Sequence, residues 1–333
     1  MDFIYNSTLG VAMEDKPIYE WHRANESMKV SRLNRHFCVL RPYYYELPVL
    51  RENLSHYLDY PFDNDLAVSL VVAKRDDGDY AELLVKQAMW VVKNLCERTD
   101  LARSRTKLVL SLDKKIRKMA MPYLDACQFP LSNVNWFKSD EPNNHYACKF
   151  ESVLSEVFDP FERVLHMDLS VTFGNHPAQR SLPLFSRIKR EWTAQIYAAP
   201  KALIREHGYN SMLLAPRRHH WSNDPTLAEF VGLTVEEDQA YWDSAELVYS
   251  IDGFMMGFHR RLLDAPLFRE EIININAASD DEIAMCYYAR RGDWQEWQVA
   301  NLSNCFIERG ISALPHEIYY ESVLRFFPHI THI

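Results

Sequence analysis

Short apolar runs alternate with segments of helical period between residues 66 and 168, and this alternation restricts the fold more than any other feature. Apolar runs of strand length lie at residues 66–73, 107–113, 133–137 and 163–168. Between them, apolar residues recur at helical spacing near residues 84–95, 116–127 and 146–158. Strands that are separated by helices form parallel sheets with both faces covered. We therefore predict an α/β fold with a single Rossmann-like, mostly parallel sheet flanked by helices.

The fourth apolar run ends at a carboxylate, Asp168. The helix predicted before this run is expected to end at Asp159-Pro160, because proline lacks a backbone N–H and clashes with the preceding turn. Ligands of parallel sheets bind at the carboxyl ends of the strands. The position of Asp168 therefore makes it a candidate for holding a cation or a phosphate group.

The regions on either side of this pattern lack a clear period. Residues 1–64 are rich in aromatic and charged side chains, and residues 301–333 form an aromatic tail. We predict an N-terminal arm over 1–64 that packs on the core, a catalytic domain over 65–300, and a C-terminal tail over 301–333 that packs back on the domain.

Composition excludes several classes of protein. The 333 residues are 47% hydrophobic, which is enough for a large core, but the longest apolar runs are far shorter than a membrane span. A net charge of −9 argues against general coating of nucleic acid, which needs a surplus of lysine and arginine. The six cysteines contain no CxxC pair, as expected for reduced thiols. We predict a soluble, cytoplasmic protein without a membrane span.

Charged residues follow most of the predicted strands. Lys74 and Asp76 follow Ala73 after the first strand, and Asp113 ends the second strand just before Lys114. Solvated loop charge explains any one of them, but their convergence on one edge favours a binding site. The chain has nine glycines and neither GxGxxG nor GxxxxGK[ST], so a nucleotide at this edge cannot be held by a glycine-rich loop.

Residues 65 to about 290 resemble the GT-A glycosyltransferases, which use nucleotide sugars and have a single Rossmann-like sheet. The resemblance is carried by the β-α order, by Val164-Leu-His-Met-Asp168-Leu-Ser170-Val in place of the family's strand ending in Asp-x-Asp, and by Lys149 on the preceding helix. It implies a nucleoside-diphosphate-sugar donor and Mn²⁺ or Mg²⁺ at Asp168 and Ser170. The positions that it assigns to donor binding are Ala73, Lys74, Asp76, Asp113, Lys114, Lys149, Asp168 and Ser170.

Ser170 departs from the family pattern, since an Asp-x-Asp motif has its second carboxylate at that position. Sites for Mg²⁺ commonly use one or two carboxylates together with phosphate oxygens and water. One aspartate and one hydroxyl would hold the cation more weakly. A metal-independent site with lysine or arginine facing the diphosphate is the alternative, because the cation's task is to stabilise charge on the leaving group.

Two further segments are candidates for contact with the acceptor. Residues 216–225 concentrate cationic and aromatic groups between two prolines, namely Arg217, Arg218, His219, His220 and Trp221. Aromatic rings stack on sugars, and arginine binds phosphate through two N–H groups. Asp252-Gly253, between two predicted strands, is similar in place to the family's sugar-pocket strand. A surface loop and a hairpin turn are the respective alternatives.

The resemblance also indicates a general base. Ser279-Asp280-Asp281-Glu282 begins a predicted helix, where acidic residues are expected from capping and the helix dipole alone. In inverting GT-A enzymes such an acidic motif deprotonates the acceptor hydroxyl. Asp281 is the first candidate and Glu282 the second; in a retaining enzyme neither would have this role.

Two other functions are compatible with the same sequence. A nucleotidyltransferase would share the parallel sheet and a carboxylate-held metal, and a non-catalytic GT-A-like protein that binds a nucleotide or sugar would tolerate Ser170. Even for a glycosyltransferase, the acceptor stays open among a glycan, a lipid, a protein and a modified nucleobase.

Overall fold

The computed structural model describes residues 53–73, 78–139, 145–169, 171–172, 183–198, 213–215, 234–243, 255–265, 268–272, 285, 288, 299–301 and 331–332. The strands are β1 (Leu66–Val72), β2 (Lys107–Asp113), β3 (Val134–Phe137), β4 (Arg163–Met167), β5 (Val171–Thr172), β6 (Leu213–Ala215), β7 (Met255–His259), β8 (Val299–Asn301) and β9 (Thr331–His332). The α-helices with defined bounds are α1 (Ser55–Leu58), α2 (Gly78–Arg98), α3 (Arg117–Ala126), α4 (His145–Val153), α5 (Leu184–Ala198), α6 (Val235–Asp243) and α7 (Arg260–Leu263).

Seven strands form one sheet in the order β3-β2-β1-β4-β7-β6-β8. The pairs β2–β3, β1–β2, β1–β4 and β6–β8 are parallel, whereas β7 runs antiparallel to both of its neighbours. The predicted α/β fold with a mostly parallel sheet flanked by helices is thus confirmed.

The strand order reverses between β1 and β4. From β1 the chain builds outward to β2 and β3, and then returns to place β4 on the other side of β1. This order, β3-β2-β1-β4, is the first part of the Rossmann order, and ligands of such sheets bind where the order reverses. The carboxyl ends of β1 and β4 are therefore the expected binding edge.

Alternation of side chains along each strand divides the core into two layers. On one face, Val68 and Leu70 of β1 pack with Leu165 and Met167 of β4 in a single cluster that also takes in residues of α2, α3 and α5. On the other face, α4 covers the sheet, and Phe150 packs on Phe258 of β7 with ring centroids 5.9 Å apart. Both faces are buried, as a parallel sheet requires.

The helix that was predicted to reach residue 158 ends earlier, so that part of the prediction is wrong. α4 stops at Val153, and a 3-10 turn over Glu156–Phe158 follows an extended Ser155. The Ser152 hydroxyl donates to the carbonyl of Lys149 at 2.8 Å, and Ser155 donates to the carbonyl of Ser152 at 2.6 Å. These hydroxyls satisfy carbonyls of the last turn, which allows the helix to end before Asp159-Pro160.

Helix α5 is fixed to the sheet by a carboxylate from another part of the chain. The two oxygens of buried Asp100 accept hydrogen bonds from the backbone N–H groups of Phe185 (2.9 Å) and Ser186 (3.1 Å). These amides lie in the first turn of α5, where N–H groups have no intrahelical partner and the helix dipole favours negative charge.

The described end of the predicted N-terminal arm packs on the core. Leu54 and Leu58 are buried in the main apolar cluster, and the Leu54 N–H donates to the carbonyl of Cys127 at 2.9 Å. Residues 1–52 lie outside the described residues. In the part of the chain that the structure describes, no helix is both long and apolar enough to cross a bilayer.

Candidate functional site

Lys149 and Asp168 form an ion pair at the carboxyl end of β4. The Nζ atom of Lys149 lies 2.8 Å from Oδ1 of Asp168. Lys149 is 8% exposed, whereas the Asp168 side chain is 21% exposed, so the pair has a buried side and an accessible side. Asp168 directly follows β4, which lies beside β1 at the point where the strand order reverses. The two residues that carry the family resemblance are thus neighbours at the expected edge.

The local sequence explains why the two side chains meet. Val164, His166 and Asp168 alternate along β4 and its extension, and this places them on one face of the sheet. α4 covers the same face through Phe150 and Val153, which are both buried. Lys149 precedes Phe150 on this helix, so its side chain lies over the end of β4.

His166 is a site residue that the sequence reasoning missed. Its Nε2 atom lies 3.0 Å from the same Asp168 oxygen, Oδ1, that Lys149 contacts. Because a carboxylate accepts hydrogen bonds, the ring hydrogen belongs on Nε2. The His166 side chain is 2% exposed, and its Nδ1 atom has no partner among the described residues. The sequence contains a sign of this contact, because His166 and Asp168 are two residues apart and alternate residues of a strand share a face.

A second unpredicted residue holds the peptide that follows Asp168. Gln87 on α2 is buried, and its Nε2 atom donates to the backbone carbonyl of Leu169 at 2.6 Å. α2 covers the opposite face of the sheet from α4, so the segment 168–169 is contacted from both helical layers. The periodic pattern of α2 predicted an apolar face and did not distinguish Gln87.

A buried polar network fastens α4 to three strands. Asn135 of β3 donates to the hydroxyls of Ser111 (3.1 Å) and Ser155 (2.8 Å). Ser69 of β1 lies 3.4 Å from the Ser111 hydroxyl and 3.5 Å from the Ser152 hydroxyl. Ser152 in turn donates to the carbonyl of Lys149. The network therefore holds the backbone of Lys149 at a defined distance from the sheet.

The other described residues of the predicted donor site lie at adjacent strand ends. Asp113 ends β2 level with Ala73, as the pairing of Val72 with Leu112 requires. Asp113 is fully buried, and its Oδ1 atom accepts from the N–H of Lys115 at 2.7 Å. Its Oδ2 atom is buried without a partner within the described ranges. The Lys114 side chain is exposed.

The remaining predicted site residues lie outside the described residues, and their roles stay predictions. These are Lys74, Asp76 and Ser170 of the donor site, Arg217, Arg218, His219, His220, Trp221, Asp252 and Gly253 of the acceptor site, and the candidate bases Asp281 and Glu282.

The described side chains do not fit a divalent cation at Asp168. The same carboxylate oxygen already contacts the Lys149 ammonium and the His166 ring. A divalent cation about 4 Å from an ammonium would be repelled by roughly 8 kcal/mol at an effective dielectric constant near 20. The described part of the chain also contains no group of three or more His, Cys, Asp or Glu side chains arranged for a metal.

The tail returns to the chain just beyond Asp168. β9 pairs antiparallel with β5, with His332 opposite Val171 and Thr331 opposite Thr172. The backbone at Thr331 and His332 is thereby held next to Val171 and Thr172, three to four residues beyond Asp168 in the sequence.

An open groove of about 630 Å³ lies at the opposite edge of the sheet, around Arg163, His259 and Arg260. Its arginines have structural partners. Arg163 contacts Asp65 and donates to the Thr193 hydroxyl at 3.1 Å, while Arg260 donates to the carbonyl of Phe161 at 3.1 Å. These contacts connect loops at the amino ends of β1 and β4, and the groove lacks the strand-end carboxylates of the predicted site.

Comparison with known proteins gives little further information. No protein-family model matches the chain. No curated protein matches it either. Among solved structures, it is similar to the apo form of mouse xyloside xylosyltransferase 1, with 10% sequence identity over 74% of this chain and 76% of that chain and a TM-score of 0.31. A TM-score this low carries no inference about function, which has to be argued from the geometry of the chain itself.

Proposed function

We propose that this protein is a glycosyltransferase that transfers a sugar from a nucleoside-diphosphate-sugar donor to an acceptor hydroxyl. The observation that carries the proposal is the Lys149–Asp168 pair at the edge where the strand order reverses. A buried ammonium at this edge is suited to an anionic ligand, because ligands of such sheets bind there. The resemblance to GT-A enzymes implies that this ligand is the diphosphate of a nucleotide sugar.

The proposed chemistry needs charge stabilisation and positioning. As the bond between the sugar and the diphosphate breaks, negative charge grows on the leaving phosphate. An ammonium fixed in a partly buried site stabilises that charge more strongly than water does, and it is already oriented. Holding donor and acceptor together supplies a further large part of the rate.

The nucleoside would lie along the ends of β1 and β2. Asp113 has a buried oxygen at this edge that could accept a hydrogen bond from a base N–H or a ribose hydroxyl. Ala73 directly follows β1, and Lys74, Asp76 and Lys114 follow strands β1 and β2 in the sequence.

The acceptor side of the proposal rests on the sequence. Arg217, Arg218, His219, His220 and Trp221, together with Asp252 and Gly253, would face the acceptor. In an inverting enzyme, Asp281 or Glu282 would remove the proton of the acceptor hydroxyl as it attacks the sugar.

Release of nucleoside diphosphate from a panel of nucleotide sugars tests the proposal. We expect slow donor hydrolysis by the full chain, and we expect Lys149→Met to lower its rate by about 10- to 100-fold, because a hydrogen bond to a charged group contributes roughly 1.5–3 kcal/mol. Lys93→Met is the matched control, since Lys93 lies near the end of α2 that leads to the amino end of β2, at the edge of the sheet opposite the proposed site.

Two results would contradict this function. Binding of nucleoside triphosphates in preference to nucleotide sugars, with release of pyrophosphate, would indicate a nucleotidyltransferase. Nucleotide binding without any hydrolysis or transfer, across a broad panel of donors and acceptors, would indicate a non-catalytic binding protein.

A further inference from the structure

We propose that the Lys149 ammonium takes the place of the divalent cation at the donor diphosphate, so that this protein binds its donor without added metal. The proposal deepens the glycosyltransferase function and rests on it. It starts from the disagreement between the metal that the family resemblance implies and the side chains that surround Asp168.

The charges around Asp168 balance in a different way from those of an Asp-x-Asp site. Two carboxylates and one divalent cation sum to zero, and so do one carboxylate and one ammonium. In this chain the second carboxylate position is Ser170, and the remaining Asp168 has an ammonium 2.8 Å away. A lysine thus compensates the charge of Asp168 in the absence of a second acidic side chain, and the diphosphate would not meet an uncompensated carboxylate.

Lys149 is held in a way that suits this role. Lys149 lies on α4, and its side chain is buried between this helix and the sheet. Its backbone carbonyl accepts a hydrogen bond from the Ser152 hydroxyl, which belongs to the polar network that joins α4 to the sheet. An ammonium has three N–H groups and can bridge a carboxylate and a phosphate oxygen at the same time. Because little side-chain entropy remains to be lost, the ammonium is preorganised for an anion.

His166 acts as a positioning residue for Asp168. Its buried ring contacts the same oxygen as Lys149 and so restricts rotation of the carboxylate. The hydrogen on Nε2 points at Oδ1, so His166 is a second donor to the oxygen that the Lys149 ammonium contacts.

The test is calorimetric titration of the full-length protein with UDP, GDP, CDP and ADP, in EDTA and in Mn²⁺ or Mg²⁺. We expect one of these diphosphates to bind in EDTA with a Kd within about threefold of that in Mn²⁺, a difference of roughly 0.65 kcal/mol. Lys149→Met should weaken binding by about 10- to 100-fold, whereas Lys149→Arg should retain part of it and Lys93→Met all of it.

A second variant covers the case in which Lys149→Met does not fold because it leaves Asp168 without its ammonium. Lys149→Met combined with Asp168→Leu removes both charges together, which proteins tolerate better than the loss of one partner. If this folded double variant still binds the diphosphate in EDTA as the natural chain does, Lys149 is not the anion-binding group and the proposal is wrong.

The outcomes distinguish failure of this proposal from failure of the proposed glycosyltransferase function. Binding and turnover that need Mn²⁺ and vanish in EDTA would overturn the role of Lys149 and leave a metal-dependent glycosyltransferase. Failure of every nucleotide and nucleotide sugar to bind under either condition would overturn both proposals.

Discussion

His259 is a side chain whose environment decides its protonation. It ends β7, is buried, and its Nδ1 atom accepts a hydrogen bond from the N–H of Arg261 at 3.2 Å. Burial lowers the pKa of His259 below its usual 6.5, and Arg163 and Arg261 lower the pKa further, against the opposing effect of Glu162. An imidazole that accepts through Nδ1 must be unprotonated there, so geometry and charge both favour the neutral ring.

This environment predicts a loss of stability in acid. As the pH falls from about 6.5 towards the lowered pKa, the unfolded chain binds a proton at His259 that the folded chain does not, so the free energy of unfolding decreases over that window. His259→Asn keeps a cap acceptor for the Arg261 N–H and removes the titration. We expect the urea midpoint to fall less between pH 7.5 and pH 5 in this variant than in the natural chain. An equal fall in both proteins would contradict the prediction.

At the scale of single residues, part of the site could be predicted from the sequence. Asp168 and Lys149 could be identified because a strand ending in a carboxylate and a lysine on the preceding helix resemble a known motif. His166 and Gln87 could not be distinguished from ordinary core residues, since their roles depend on which helix covers which face. Strand alternation alone does not say that α4 and the Asp168 side chain share a face.

At the scale of elements, the polar network under α4 contributes to the placement of the site. Asn135 donates to two serine hydroxyls, and the hydroxyls of Ser69, Ser111 and Ser152 continue the network across the sheet. Asn135 and the serines at 69, 111 and 152 are buried, and Ser155 is partly buried. Buried polar groups of this kind are stable only when they are hydrogen-bonded.

Removal of the Asn135 side-chain amide should therefore destabilise the fold. We expect Asn135→Ala to lower the free energy of unfolding by about 1–3 kcal/mol, because it leaves buried hydroxyls without their donor. Asn64→Ala, at an exposed position, is the control and should change stability by less than about 0.5 kcal/mol. Urea unfolding followed by circular dichroism measures both. Equal stability of the two variants would show that the network contributes nothing.

The elements themselves were largely predictable. The strands at 107–113 and 134–137 and the helix over Arg117–Ala126 follow the periodic patterns closely, because burial of one face or both leaves a regular trace. The early end of α4 was missed because serine side chains terminate it, whereas the sequence pattern continued to Phe158. The pairing of β5 with β9 joins residues about 160 positions apart and leaves no local signal.

At the scale of the whole molecule, one sheet is shared by two buried layers. Phe185 of α5 is buried on one face, and Phe258 of β7 packs with Phe150 and Phe268 on the other. The order of the strands and the reversed direction of β7 were not predictable, since they depend on long-range pairing. The fold class was predictable, because alternating strands and helices have few ways to bury both kinds of apolar face.

A shared sheet predicts that the two layers unfold together. We expect Phe185→Ala and Phe258→Ala each to lower the free energy of unfolding by about 3–5 kcal/mol, from lost burial and the resulting cavity. In each variant, the urea transitions measured by tryptophan fluorescence and by far-ultraviolet circular dichroism should coincide. Separate transitions for the two signals would show that the layers are independently stable.

The dipeptide Asp168-Leu169 is contacted from both faces of the sheet. Lys149 of α4 contacts the Asp168 carboxylate, and Gln87 of α2 donates to the carbonyl of Leu169. A small shift of either helix would therefore move the same dipeptide. Substitutions in the packing of α2 or α4 would then change donor affinity without contacting the donor. Variants selected only for thermal stability would change in turnover as well.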